Sequence, residues 1–383
     1  MDRRKFLKCS ATGFLGLAVT DKLTLADAAE CRKKAKKDAA YNVVILGDTH
    51  FDAEPVELYH TGYTDPNPTR EANHRKEIAR NIAMWKERCP KMLKRAACLV
   101  DENTKMTFQM GDLIQGDTGD FESHTKMLHD VVNYMKDALG PLPFVTVAGN
   151  HDLRGANDAV ATSAYETYMP KRMSEELGKE ITKTTFGFDI GPDTYIVIDF
   201  THPDDAEIEK LLKESEGARY TFIIVHGPVF PYDSAKYHNW ILHGRSDKTP
   251  EARRHFRKLF AKRNAIVLCG HTHTTEFVDW YGDGGRITQM IMNSVWAKDE
   301  LAEYKVIENT TEEYGRIRLA AVKDKPETYE KDKALFDEYR SGIKKYSMSY
   351  AAGSYRLKVS DDGVTVDFYA GDSTRVTETF VLR

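Results

Sequence analysis

Val44-Ile-Leu-Gly-Asp48-Thr-His50 is an apolar run that ends on a glycine and then presents two potential ligands at i and i+2. Alternate side chains of an extended segment point the same way, so Asp48 and His50 can face one centre. Four further strand-like runs stop in the same manner: Phe108-Gln-Met-Gly-Asp112, Val147-Ala-Gly-Asn150-His151-Asp152, Ile223-Ile-Val-His226-Gly-Pro and Val267-Leu-Cys-Gly-His271-Thr-His273. The glycines just before Asp48, Asp112, Asn150 and His271 let the chain turn tightly and bring backbone close to an ion. Imidazole mixed with carboxylate suits Zn, Fe, Mn or Ni better than Ca or Mg.

Outward from these runs, short apolar strands alternate with longer amphipathic stretches. Strands are predicted at Val43–Leu46, Met106–Met110, Phe144–Val147, Tyr195–Phe200, Phe222–Val225 and Ala265–Leu268. Helices are predicted near 70–88, 119–139, 160–178, 203–215 and 250–262. This alternation argues for an α/β fold whose functional loops sit at strand ends. From about residue 276 the pattern changes. Glu276–Tyr281 and Thr288–Asn293 read as strands and 325–346 as a charged helix. Tyr355–Val359, Val364–Tyr369 and Thr377–Leu382 then read as an antiparallel set turning at Asp361-Asp362-Gly363. No Pro/Gly-rich linker cuts this region off, so residues 41–383 are expected to form one domain, with 277–383 a β-rich section completing it.

The 383 residues are 41% hydrophobic and 30% charged, the make-up of a globular protein with chain enough for a full core. The formal net charge of −4 leaves no basic excess for holding polyanions, so no nucleic-acid partner is expected. The N-terminus reads as an address: a basic start with Arg3-Arg4 before Phe6-Leu7-Lys8, a mildly apolar run over 9–20, and Ala26-Asp27-Ala28 as a cleavage site. It resembles a bacterial twin-arginine (Tat) signal over 1–28, followed by a polar leader over 29–40. The reading implies the Tat export machinery as a partner of the precursor and a periplasmic location. The apolar run is too short for a permanent membrane span. Loss of 1–28 leaves 50 basic against 56 acidic residues, a charge of −6. In an oxidising compartment Cys89 and Cys98 could pair, or remain buried thiols.

Together the five blocks resemble the calcineurin-like metallophosphoesterase superfamily: D-x-H, G-D, G-N-H-D, a lone His after an apolar strand, and G-H-x-H, in family order. The resemblance implies a four-layer α/β/β/α sandwich of two mixed sheets with a dinuclear site at the strand ends. One metal would take Asp48, His50, Asp112 and His273; the other would take Asp112, Asn150, His226 and His271, with Asp112 bridging. The ions (Mn, Fe or Zn) would hold the phosphate and sharpen a water into hydroxide for in-line attack. His151 would serve the leaving group as general acid or transition-state stabiliser. The implied substrate is a small phosphodiester or phosphomonoester. A nuclease of the same chemistry, or a non-catalytic metal-containing binding protein, are the alternatives.

A lone histidine in an apolar run is ordinarily a core or surface residue, and it is the other four blocks that give His226 its meaning. His60, His74, His124, His129, His202 and His255 have no such support and read as ordinary. His238 and His243 could line a substrate pocket. Many members carry G-D-x-x-D-R-G, whose second Asp orients the catalytic His and whose Arg clamps phosphate. This chain has Gly111-Asp-Leu-Ile-Gln115-Gly116-Asp117 instead. That argues against a Ser/Thr phosphoprotein phosphatase and leaves the orientation of His151 unassigned. Purple acid phosphatases place a Tyr ligand at that third position, and Gln115 cannot supply a phenolate, so no purple colour is expected. Phe51–Thr69, with Tyr59, His60 and Tyr63, and Phe230–Ser246, with Tyr232, Tyr237, Trp240 and Arg245, are the candidate substrate walls, or else packed loops.

Overall fold

The apolar run that leads to Asp48 forms a strand, β1 (Tyr41–Leu46), buried at every position. A strand with no polar face must be covered on both sides, and here it lies inside one of two sheets. The computed structural model describes residues 40–235, 240–243, 250–295 and 297–383. The proposed signal peptide, the leader up to residue 39, and Tyr237, His238 and Arg245 lie outside the described residues.

In the first sheet β1 pairs in parallel with β2 (Thr104–Gln109), which pairs in parallel with β3 (Phe144–Thr146). On its other side β1 runs antiparallel to β12 (Gly353–Ser360), followed by β13 (Gly363–Ala370) and β14 (Glu378–Val381). The second sheet has eight strands. Its centre is the parallel set β5 (Asp193–Ile198), β6 (Thr221–Val225), β7 (Ile266–Cys269) and β9 (Gly285–Ile291). β4 (Phe186–Ile190) pairs antiparallel with β5 at one edge. β8 (Thr275–Gly282), β11 (Ile343–Ser349) and β10 (Val306–Glu308) extend the other, all antiparallel. C-terminal strands therefore enter both sheets.

The two sheets are mixed and pack face to face between helices, the four-layer α/β arrangement that the resemblance implies. Phe108 of β2 meets Tyr195 of β5 edge-on at 5.5 Å, and Tyr195 stacks on Phe222 at 4.4 Å. Tyr41 of β1 also crosses the interface, its hydroxyl 2.7 Å from that of Tyr195 and donating to Asp193 Oδ2 at 2.9 Å. Pairing two buried hydroxyls with a carboxylate satisfies polar groups that would otherwise be costly there. The helices α1 (Glu57–His60), α2 (Pro68–Glu87), α3 (Cys89–Ala97), α4 (Phe121–Leu139) and α5 (Asp158–Leu177) belong to the first sheet's side. α6 (Asp205–Glu214), α7 (Pro250–Lys262), α8 (Arg316–Val322) and α9 (Pro326–Arg340) belong to the second's.

One expectation is corrected and one open alternative is decided. The charged helix expected over 325–346 stops at Arg340, and 343–349 is strand β11. Ser341-Gly342 breaks it: Gly342 lies so close to Trp280 that a Cβ there would come within 2.1 Å of the indole Nε1. β11 then buries Ile343, Tyr346 and Met348 against the second core. Cys89, Cys98 and Cys269 carry free thiols. Cys89 and Cys98 sit at opposite ends of α3. Nine helical residues separate their Cα atoms by about 13 Å, twice what a disulfide spans.

Candidate metal centre

All five strands that carry the motifs end at one place. β1, β2 and β3 are neighbours in the first sheet, β6 and β7 in the second, and the loops at their carboxyl ends meet, the usual position for a ligand site in parallel α/β sheets. Gln109, fully buried, locks three of these ends together. Its Nε2 donates to the carbonyls of Gly47 (3.1 Å) and Gly111 (2.7 Å), while its Oε1 accepts from the Gly111 N–H (3.0 Å) and the Thr146 hydroxyl (2.6 Å). The turn after β9 links the sheets below the centre. Gly47 N–H donates to Ser294 Oγ (2.8 Å), and Asn293 Nδ2 donates to the His273 carbonyl (3.0 Å). These second contacts involve residues that carry no motif.

Asp48, His50, Asp112 and His273 form one group whose donor atoms lie within 4.8 Å of one another; Asp112, His226 and His271 form a second. Asp112 belongs to both. Its Oδ2 lies 3.2 Å from His226 Nε2 and 3.7 Å from His50 Nε2. His273 Nε2 is 3.1 Å from Asp48 Oδ2 and 3.0 Å from His50 Nε2. Asn150 stands between Gly149, packed on Asp112, and His151, whose N–H donates to Asp112 Oδ1 at 2.8 Å; the Asn150 Oδ1 is buried without a hydrogen-bond partner. His50, Asp112, His271 and His273 have φ of 44, 49, 76 and 53°, the left-handed region that non-glycine residues seldom adopt. Such conformations persist only where surrounding structure over-determines them, as at binding sites.

The glycines do more than turn the chain, as Gly111 does at φ 83°. They bring the backbone against the candidate ligand side chains. A Cβ on Gly111 would lie 2.6 Å from His226 Nδ1, on Gly149 2.3 Å from Asp112 Oδ1, and on Gly270 2.2 Å from Asp48 Oδ1.

Protonation follows from burial and neighbouring charge. Burial holds His50 and His271 well below the usual imidazole pKa, leaving them neutral. Burial opposes charge on His226 too, but the Asp112 and Asp48 carboxylates outweigh it and raise its pKa to about 9. His226 Nδ1 donates to the Met110 carbonyl at 2.7 Å, so its Nε2 faces Asp112. A proton drawn to that position marks where positive charge is favoured. The donor set, the unpartnered Asn150 oxygen and the imidazole nitrogens facing one another fit two transition-metal ions.

Phe200, Tyr232 and Trp240 wall the second group, with ring centroids 5.7, 5.8 and 5.6 Å from that of His271. His243 instead stacks on Phe256 at 4.9 Å, with Nε2 3.3 Å from Asp205 Oδ1, in the helical layer. In the other candidate wall, Tyr59 donates to Asp130 (2.8 Å) and Tyr63 bonds His74 (2.5 Å).

His151 packs edge-on against His50 at 4.3 Å. His60, His74 and His124, which read as ordinary in sequence, lie behind its loop. His124, fully buried, bridges Thr118 Oγ1 (2.8 Å) and the Asp152 carbonyl (2.8 Å). Burial lowers its pKa to about 4. The unfolded chain therefore takes up this proton near pH 6.5 while the folded chain refuses it until about pH 4. Stability is lost as pH falls through that window, by about 3 kcal/mol in total. Urea unfolding at pH 7 and pH 4.5 is expected to show a steeper decline for the metal-free parent than for His124→Gln; equal declines would refute this.

The family model for calcineurin-like phosphoesterases matches residues 41–275. The chain belongs to that family. Three solved structures are similar over 90% of this chain. One is a purple acid phosphatase from yellow lupin (Lupinus luteus) seeds (13% identity, TM-score 0.48, 54% of that chain). The others are PhoD (10%, 0.49, 69%) and a dimetal phosphatase from Danio rerio (11%, 0.48, 100%). The chain thus spans about half the length of the lupin protein. No curated protein matches it. Among the described residues no helix is long and apolar enough to cross a membrane.

Proposed function

We propose that the chain is an exported dinuclear-metal phosphoesterase acting on a small phosphodiester or phosphomonoester. The observation that carries the chemistry is the sharing of Asp112 by two ligand groups with His151 beside them. In this reading Asp48, His50, Asp112 and His273 hold one ion, and Asp112, Asn150, His226 and His271 the other. Two such ions supply Lewis-acid stabilisation of phosphoryl oxygens and lower the pKa of water. The chain's own residues do the rest. Neutral His50 and His271 offer lone pairs without first losing a proton. Phe200, Tyr232 and Trp240 present an apolar wall to the alcohol part of the ester.

His151 Nδ1 lies 2.9 Å from the Gln115 carbonyl, which can only accept, so Nδ1 carries hydrogen and Nε2 is free to hold the proton for a departing oxygen. Burial, then the Arg154 guanidinium, keeps its pKa below the ordinary value, making the protonated form a strong donor. Gln115 in place of a carboxylate, and the net negative charge, favour a small ester over a phosphoprotein or polymeric nucleic acid. Export rests on the Arg3-Arg4 signal and the Ala26-Asp27-Ala28 site.

Protein supplied with Mn, Fe or Zn is expected to hydrolyse bis-p-nitrophenyl or p-nitrophenyl phosphate, to lose that activity to a chelator and to regain it on metal return. Two metals per chain without turnover on any mono- or diester would favour a binding protein instead. Cleavage of DNA or RNA with no small-ester activity would favour a nuclease.

A further inference from the structure

The residue that accepts from His151 is held by a network that none of the motifs contains. Gln115 offers His151 its carbonyl, not its side chain. That side chain is engaged elsewhere: Oε1 accepts from Asn81 Nδ2 of α2, and Nε2 donates to Asp117 Oδ2 at 2.8 Å. The same Asp117 oxygen accepts from Arg154 Nη2 at 2.7 Å, and Asp117 Oδ1 lies 3.2 Å from His74 Nδ1. Arg154 closes the turn that His151 begins, its N–H donating to the His151 carbonyl at 3.2 Å and its Nη2 also reaching Glu77 Oε2 at 3.1 Å. The Asp117 backbone joins in. Its N–H donates to the Arg154 carbonyl (2.9 Å) and its carbonyl accepts from His60 Nδ1 (2.9 Å).

One fully buried carboxylate thus ties residue 115, whose carbonyl accepts the His151 Nδ1–H hydrogen bond, to residue 154, at the far end of the His151 turn. The two loops touch so closely that a Cβ on Gly116 would come within 2.3 Å of the His151 carbonyl oxygen and 2.7 Å of that of Arg154. Asp117 sits at φ 55°, a conformation a non-glycine residue keeps only under such constraint, next to Gly116 at 71°, which glycine adopts freely. Burial opposes ionisation of Asp117, but Arg154 and His74 overcome it, so the carboxylate stays charged well below the usual range.

We propose that Asp117 is the positioning residue for His151, acting through the backbone of Gln115 on one side and through Arg154 on the other. It takes over the orienting task that a carboxylate at position 115 would otherwise perform. The proposal rests on the reading of His151 as proton donor to the leaving oxygen, and the test separates the two.

The measurement is kcat and KM on metal-loaded enzyme for aryl phosphate esters whose leaving phenols span a range of pKa. Loss of a general acid costs roughly 10²–10⁴-fold where the leaving group needs its proton, and much less for p-nitrophenolate. His151→Ala is expected to show that graded loss. Asp117→Asn cannot accept from both Arg154 and Gln115 through the oxygen they share without turning an amide toward His74. It should show the same grading at smaller amplitude, roughly 10-fold or more on unsubstituted phenyl esters, in kcat with KM and metal content unchanged. In the double variant Asp117→Asn should add nothing to His151→Ala. Equal loss across all leaving groups, or full additivity, overturns the positioning role and leaves Asp117 a structural residue. A His151→Ala enzyme with no grading overturns the reading of His151 itself. If Asp117→Asn loses metal or its cooperative melting, the comparison passes to Gln115→Met, which keeps the carbonyl and breaks the link to Asp117. Graded loss there supports the proposal, and a flat response overturns it.

Discussion

Asp112→Ala is expected to abolish turnover and to leave the protein unable to hold its metals. The loss should exceed the roughly 10²–10³-fold typical of removing one preorganised electrostatic group, because this carboxylate belongs to both ligand groups. Its Oδ2 lies within 3.7 Å of both His50 and His226 Nε2, one from each group. Its Oδ1 accepts the His151 N–H, so the His151 turn also loses an anchor. The backbone of Asp112 does separate work, its carbonyl accepting from Thr49 and His50 N–H at 3.1 and 2.8 Å, and alanine keeps that. The metal-free variant should still fold, but loses about 1 kcal/mol for the missing hydrogen bond and more for the buried His226 pair that it breaks. What disappears is the rise in melting temperature that bound metal gives the parent protein. Elemental analysis, melting curves with and without metal, and the rate on bis-p-nitrophenyl phosphate check this together. A variant with two metals per chain and parental turnover would sink the assignment of a shared ligand.

The same residues show why the strand ends were legible in sequence. β1, β6 and β7 are buried throughout, and an uninterrupted apolar run halting at Gly and a ligand leaves little room for another reading. Strands with an exposed face carry no such signal. β11 reads Ile343-Lys-Lys-Tyr-Ser-Met-Ser, polar enough to pass for the continuation of a charged helix, and only the close packing of Gly342 on Trp280 reveals the break. The polar backing of His151 was illegible for a different reason. His60, His74 and His124 come from α1, α2 and α4, and their meaning arises only when those helices close over the strand ends. Position 115 is instructive in the opposite sense. Comparison of side chains registers a missing carboxylate, whereas the atom that holds His151 is a backbone oxygen that any residue would supply. What Gln115 contributes is the tether to Asp117.

Gly149→Ala is expected to damage the centre as deeply as loss of a ligand, although glycine holds no metal. An added methyl at 149 would lie 2.1 Å from the Asp112 backbone nitrogen and 2.3 Å from its Oδ1. A flexible side-chain tip can yield; a backbone nitrogen at the end of β2 cannot move without carrying Asp112 with it. Relief therefore separates the ends of β2 and β3, pulling Asn150 and His151 from Asp112, at an overpacking cost of about 1–3 kcal/mol. Gly140→Ala is the control. Gly140 has φ 91° and ψ −169° but nothing within 4 Å of its would-be Cβ, so alanine there meets backbone strain alone, about 1–3 kcal/mol. Both variants should melt earlier than the parent, by similar margins, yet only Gly149→Ala should lose metal and turnover. That dissociation separates a contact requirement at the centre from the general cost of replacing a glycine. Parental metal content and rate in Gly149→Ala would show that the ends of β2 and β3 can part without disturbing the ligands, and the close interlock of glycine and carboxylate would then have no role in building the site.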